Sequence, residues 1–322
     1  MSENQYIYSV ARIRCHELTL LSGVFIDQLL ADKTHADARK LLADRAWGNG
    51  AEGSDEALLS AEHAKTWDLI REVGGDLSDF RVLLYPNDFH NLKAAVKETC
   101  TKNRHADTFL TPGTVEPELI EKAVAEQKYE LLPEMMRDTA ERAFQLLLHT
   151  GDAQQCDILI DREALLAVGR AAQESGNAML RKYAELTIAL TDLKIAVRAV
   201  KIGKKEEFLK KALAPCRSLD MDALMTAAGQ GLDALYGQIL LTEYRDAVGQ
   251  LKTSMSAFER WCDNQVMELI RPELYDPCTI APLAAYILAR ENEIKMVRII
   301  LSGRQNGLSE QSIRERVREM YV

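Results

Sequence analysis

Three stretches of this sequence repeat one another at long range, and that repetition limits the folds open to the chain. They are Asp88-Phe89-His90-Asn91-Leu92-Lys93-Ala94-Ala95-Val96-Lys97, Leu190-Thr191-Asp192-Leu193-Lys194-Ile195-Ala196-Val197-Arg198, and the run from Arg290 through Met296-Val297-Arg298 to Gly303. Each sets an aliphatic residue before a base, with another aliphatic residue three positions after it. Asn91 and Asp192 precede this step in the first two copies and Met296 in the third. Aligned on Lys93, Lys194 and Arg298, the copies lie 101 and 104 residues apart. A period near 100 is too long for a solenoid unit and suits a small domain repeated three times. The turn Leu110-Thr111-Pro112-Gly113-Thr114, and Pro215 followed by a capping Asp220, divide the chain into units 1–112, 113–216 and 217–322.

The units read as helical. Val10, Ile13, Leu18, Leu21, Phe25 and Leu29 recur at mixed spacings of three and four, predicting one helix from Tyr8 to Leu30. Further helices are predicted over Asp37–Trp47, with Gly48 at its end, and over Asp55–Val73, with Ser54 or Asp55 as cap. Pro86 should end or kink the segment Phe80–Lys97, leaving Asn87 to cap its second half. Pro133 breaks Glu116–Leu148; helices then cover Asp157–Glu174, Met179–Val200, Asp220–Leu251 and Ser256–Ile270. Acidic starts at Asp161 and Asp263 stand 33 and 35 residues before Lys194 and Arg298, with Asp55 a counterpart 38 before Lys93. β-Branched residues nowhere alternate with polar ones over a strand's length. The predicted class is all-α, in three related units.

Composition narrows the functional classes. With 47% apolar and 28% charged residues the chain has the make-up of a folded globular protein. A net charge of −9 argues against general nucleic-acid binding, which needs cations for the phosphates. Cysteines at 15, 100, 156, 216, 262 and 278 form no CxxC pair and fit reduced, mostly buried thiols of a cytosolic protein. The start Met1-Ser2-Glu3-Asn4-Gln5 lacks the features of a signal peptide. The longest uncharged apolar run, Ile280–Ala289, falls well short of the roughly 20 residues that span a bilayer.

No catalytic or metal site is visible. His16-Glu17-Leu18-Thr19-Leu20 opens like a zinc-protease helix but has no histidine at position 20 to complete the i, i+4 ligand pair. Gly203-Lys204 resembles the end of a P-loop, yet position 198 is Arg and position 205 is Lys. The histidines at 16, 35, 63, 90, 105 and 149 show no ligand spacing. No cofactor is expected.

Charge on the repeat helices says more. Lys194, Arg198, Lys201 and Lys205 fall at i, i+4, i+7 and i+11, a single stripe along a helix, beside the apolar stripe of Leu193, Val197 and Val200. The window 193–217 holds eight bases and two acids. Lys93, Lys97 and Arg104 partly repeat the stripe, as do Arg298 and Arg304. Such a stripe is either a solvated face or a patch that meets acidic groups on a partner or lipid headgroups.

The Asp88–Lys93 motif, the ending Arg290–Gly303, and Ala11-Arg12-Ile13-Arg14 followed by Leu20-Leu21 together resemble the C-subunit family of V/A-type ATP synthases, whose eukaryotic counterpart is the d subunit of the V-ATPase. The resemblance covers the whole chain. It implies a funnel-shaped protein of three helical domains about a pseudo-threefold axis, seated on the cytoplasmic side of the proteolipid ring and receiving the central shaft. It further implies that the chain transmits torque without chemistry of its own; the charge pattern on the repeat helices makes Lys93, Lys97, Lys194, Arg198, Lys201, Lys205 and Arg298 the candidates for the partner interface. Because Asn91, Asp192 and Met296 differ, no single role is expected of that position. A helical scaffold for other protein partners, or an all-α enzyme whose site is assembled from distant residues, are the competing readings.

Overall fold

The structure is a computed structural model; it describes residues 6–31, 34–50, 53–74, 76–103 and 108–322. Every regular element among them is helical. In chain order the α-helices are α1 (Ile7–Glu17), α2 (Gly23–Ala31), α3 (His35–Asp44), α4 (Asp55–Glu72), α5 (Arg81–Thr101), α6 (Pro117–Ala125), α7 (Glu134–Thr150) and α8 (Ala153–Glu174). They continue with α9 (Ala178–Lys201), α10 (Glu206–Ala212), α11 (Met221–Gln230), α12 (Leu232–Leu240), α13 (Ala247–Thr253), α14 (Met255–Ile270), α15 (Ala281–Gln305) and α16 (Glu310–Arg314). The chain forms two compact units, one of residues 77–245 and one that joins residues 1–76 to 246–322.

Several helix ends follow from their capping residues. Ser54, Asn177 and Asp220 each accept a bond from the backbone N–H three residues on, satisfying one of the donors that a helix start leaves open. Three sequence expectations fail. The predicted helix Tyr8–Leu30 is two, because the Leu21 N–H donates to the Glu293 carboxylate and the chain must leave helical geometry to reach it. Pro86 does not interrupt α5; buried Val82 to Tyr85 before it and Phe89 and Leu92 after it hold the helix through the lost bond, and Asn87 donates its amide to the Pro112 carbonyl instead of capping. Asp220–Leu251 is three helices, with Gly231 at φ +117 between α11 and α12, a conformation no helix accommodates. Asp161 and Asp263 lie inside α8 and α14, as the predicted helices Asp157–Glu174 and Ser256–Ile270 place them, and Asp55 begins α4.

In the unit formed by the two chain ends, α15 is the element the others surround. It is buried on nearly every side over its 25 residues and packs against α1, α2, α3, α4, α14 and α16. Leu29, Leu42, Leu59, Met296, Val297 and Ile300 meet in its core. At Gly303 an added Cβ would lie 2.7 Å from Ile313 Cγ1, so the missing side chain lets α16 seat against α15. A helix so enclosed must satisfy its own charges. Arg290 pairs with Glu62 of α4 and with Glu293 one turn on, donates to Thr66 at 3.3 Å, and lies 5.3 Å over the Trp47 ring. Arg290, Glu62 and Glu293 are all almost wholly buried. Glu62 also accepts from the Gly48 N–H at 2.5 Å, and Arg14 donates to the Glu273 and Asp276 carbonyls. These contacts tie residues of the first 76 to the last 77 through charge-assisted bonds.

In the other unit, α5 packs against α6, α7 and α8, while α9 packs against α8, α10, α11 and α12. Lys97 of α5 bonds Asp157 of α8 at 2.6 Å, and Lys93 pairs with Asp161 one turn along. None of the cysteines forms a disulfide; Cys156 is buried, Cys15 is exposed and the others lie between, fewer buried than composition suggested.

Removing the Arg290 charge should leave buried Glu293 without a cation and buried Glu62 with Lys65 alone. Arg290→Met is expected to cost about 3–5 kcal/mol, read as a fall in the urea midpoint. A loss under about 1 kcal/mol would mean that the network contributes nothing to holding the two chain ends together.

Candidate functional site

The repeated position occupied by Asn91, Asp192 and Met296 proves to have one role after all. Asn91, on α5, grips the Leu110 backbone twice, donating to its carbonyl at 2.9 Å and accepting from its N–H at 2.7 Å. Asp192, on α9, accepts from the Ala214 N–H at 3.1 Å. Met296, on α15, takes the Arg318 N–H on its sulfur at 3.1 Å. In each case a long helix pins the backbone of the returning chain 19, 22 and 22 residues downstream. Unlike side chains thus perform the same anchoring, because each carries an acceptor at the same point on its helix.

A second anchor repeats in the first and third copies. Asn87 and Asn292, each six residues before the aligned base, donate to the Pro112 and Glu319 carbonyls at 2.9 Å. Around the first anchor, buried Asp88 accepts from the Thr114 N–H at 2.9 Å, the Thr114 hydroxyl at 2.6 Å and the Val115 N–H at 3.2 Å. Gly113 is required there, since a Cβ would collide with Asp88 Oδ1. Burial pushes the Asp88 carboxyl up to about 6, against the pull of those three donors. Asp192 is pushed further, up to about 7, by burial with one backbone donor and the more distant Arg162 to oppose it, and its Oδ2 has no partner.

The candidate interface bases fall into two groups. Lys93, Lys97 and Arg298 are engaged within their own units, with Asp161, Asp157 and Glu56. Lys194, Arg198 and Lys201 lie on α9, with Lys194 half-buried and Arg198 and Lys201 exposed. Lys205 does not extend that stripe: Gly203, at φ +70, ends α9, and Lys205 instead precedes the first turn of α10. Arg104 lies outside the described residues.

Lys205 belongs to another surface. Over α8, between α7 and α10, runs a groove of about 810 Å³. Leu146, Ile158, Leu159 and Phe208 give it an apolar floor, and Arg142, Arg162, Lys204, Lys205, Lys210 and Lys211 line it with charge. Only Asp152 and Glu207 oppose them among the lining residues. The crowding of bases in 193–217 marks four of these six bases in the sequence. Arg142 and Arg162, on α7 and α8, carry no such signal, because only folding brings them there.

No group of His, Cys, Asp and Glu among the described residues is arranged to hold a metal. Glu17, in the protease-like stretch, is buried and accepts from Arg14 at 2.7 and 2.8 Å, and Lys204 of the P-loop-like stretch donates to Gln154 at 2.9 Å.

Comparison with known proteins agrees with this geometry. Residues 9–316 match the ATP synthase (C/AC39) subunit family, and the chain belongs to that family. Among its relatives is the C subunit of the V-type ATP synthase of Thermus thermophilus, 25% identical over 98% of each chain. The C subunit of the V-type sodium ATPase of Enterococcus hirae is 22% identical over 96% of this chain and 97% of its own. The C subunit of the A-type ATP synthase of a Desulfurococcus species is 26% identical over 96% of this chain and 90% of its own. The chain is therefore an all-α member of a V/A-type ATP synthase subunit family, and no described helix is long and apolar enough to cross a membrane.

The Asp192 environment sets a pH dependence. Its folded carboxyl lies near 7 against an ordinary 3.8, so the folded state holds the proton more tightly and stability falls as pH rises between those values. Asp192→Asn removes that titration. Its stability relative to the parent should improve by roughly 2–4 kcal/mol from pH 4 to pH 8, followed by denaturant midpoints. A difference independent of pH would place Asp192 in the ordinary carboxylate range.

Proposed function

We propose that this chain is a non-catalytic rotor-coupling subunit of a V/A-type ATP synthase or ATPase. It joins the central shaft to the membrane proteolipid ring and carries torque between them for proton or sodium transport. The observation that carries the proposal is the family match along nearly the whole chain, with relatives named as subunits of V-type and A-type ATP synthases and of a sodium ATPase.

The physical features fit such a role. A coupling element must resist twisting, and closely packed helices have low compressibility. Buried ionic ties such as Arg290–Glu62 and the repeated backbone anchors fix loops that would otherwise give under load. The three anchored long helices support a division into helical domains 1–112, 113–216 and 217–322. In the proposed arrangement these lie about a pseudo-threefold axis in a funnel whose mouth receives the shaft. With no described helix able to span a bilayer, attachment to the cytoplasmic face of the membrane comes through partner subunits. In this reading Lys93, Lys97, Lys194, Arg198, Lys201, Lys205 and Arg298 contribute to the partner interface, the exposed Arg198 and Lys201 most directly.

The chain should co-purify with shaft and proteolipid-ring subunits from detergent-extracted membranes. Arg198→Glu combined with Lys201→Glu should lower its retention at low ionic strength by about tenfold while helicity is unchanged, with a smaller difference at high salt. Failure of the parent chain to associate with either partner would end the rotor assignment. Retention unaffected by charge reversal would return the two bases to a solvated face.

A further inference from the structure

The chemistry of the basic groove in residues 77–245 specifies a ligand. We propose that it seats an acidic amphipathic helix contributed by another subunit of the same complex. The identity of that complex rests on the coupling role proposed above; the chemistry of the groove stands by itself.

Three of the groove's six bases are already engaged with a carboxylate or a backbone carbonyl. Arg142 bonds Asp138 at 2.8 Å, Arg162 Nε donates to the Leu213 carbonyl at 2.8 Å, and Lys210 pairs with Glu206 at 2.7 Å. None of the groove's lining side chains carries a buried polar atom without a partner. A site for one phosphate or a single carboxylate would keep several donors uncommitted for one spot, whereas three of these six bases are engaged with Asp138, the Leu213 carbonyl and Glu206. It has instead an apolar floor of half-buried Leu146, Ile158, Leu159 and Phe208 with bases on both sides. Its complement is a long ligand with an apolar face and an acidic one, which describes an amphipathic helix laid in a groove.

Size and charge agree. Half the cylinder of a three-turn helix, about 10–12 Å across with a 5.4 Å pitch, occupies roughly 600–900 Å³. The groove offers about 810 Å³. Six bases line the groove against Asp152 and Glu207, with Asp138, Glu163 and Glu206 pairing Arg142, Arg162 and Lys210 from its margin. Lys204, Lys205 and Lys211 still make it a basic surface on a chain whose net charge is −9, where an acidic segment meets least repulsion. The apolar floor and long basic side chains then exclude water from the bound face.

The test places a photo-crosslinking amino acid at Leu146 or Phe208 in the intact complex and identifies the adduct by mass spectrometry. The expected adduct is an acidic segment of another subunit whose apolar residues recur at helical spacing. Lys205→Glu with Lys211→Glu should lower its yield about tenfold while the chain stays in the complex. Adducts with lipid alone, with a segment lacking an acidic face, or with nothing would overturn the proposal. In parallel, the isolated full chain is titrated with a designed Glu- and Leu-rich helical peptide, inorganic pyrophosphate, and vesicles of anionic lipid. The peptide should bind, compete with neither other probe, and lose about tenfold in affinity on the same double reversal. Preference for pyrophosphate or vesicles, or indifference to charge reversal, would sink the groove proposal even if the chain proves to be the coupling subunit. A chain that binds the peptide as expected but enters no complex would instead remove the rotor reading.

Discussion

A polar side chain on a helix buried from all sides must find a partner inside the protein or destabilise it, and this chain turns that requirement into architecture. On α5, α9 and α15 the partner is the backbone of the segment that returns after each helix. A returning loop has unpaired N–H and C=O groups of its own, and the helix offers the acceptor that fixes one of them. At Asn91 and Asp192 the bond satisfies two groups that would otherwise be costly to bury, and at Met296 the sulfur, a weak acceptor, takes the Arg318 amide. The Asp88 carboxyl does the same for two further amides, and the absence of a side chain at Gly113 lets the loop come close enough.

The same requirement governs the buried charges. Arg290 is surrounded by two carboxylates, a hydroxyl and an indole face, and its carboxylates are in turn held by the Gly48 and Leu21 amides. Removing Arg290 strips buried Glu293 of its cation and leaves Glu62 to Lys65, so the members are coupled through the arginine. Such a network resists shear because its geometry is directional, whereas apolar packing alone slides more readily. Directional bonds of this kind suit a protein proposed to carry torque.

Much of this could be read from the sequence, and the exceptions have physical causes. Helix starts were legible where apolar spacing and a capping Ser or Asp agreed, as at Ser54 and Asp220. Pro86 misled because tertiary packing around Phe89 and Leu92 outweighs one missing hydrogen bond. The split at Leu18–Ser22 was hidden because its cause, Glu293, lies 272 residues away from Leu21. The shared role of Asn91, Asp192 and Met296 was masked by their chemical difference; only geometry reveals that an amide, a carboxylate and a thioether meet the same kind of backbone N–H. Four of the basic groove's six bases stood out as a run of lysines, and the other two, Arg142 and Arg162, are brought there by folding.

Mechanical coupling gives these features a common purpose, and it can be measured as energy transfer. The complex can be reconstituted in ion-tight vesicles with and without this chain, and ATP hydrolysis and ATP-driven ion uptake followed together. Coupling through this chain predicts that hydrolysis persists in its absence while ion uptake is lost, and that adding the purified protein restores uptake. Ion uptake that proceeds equally well without the chain would contradict a coupling role.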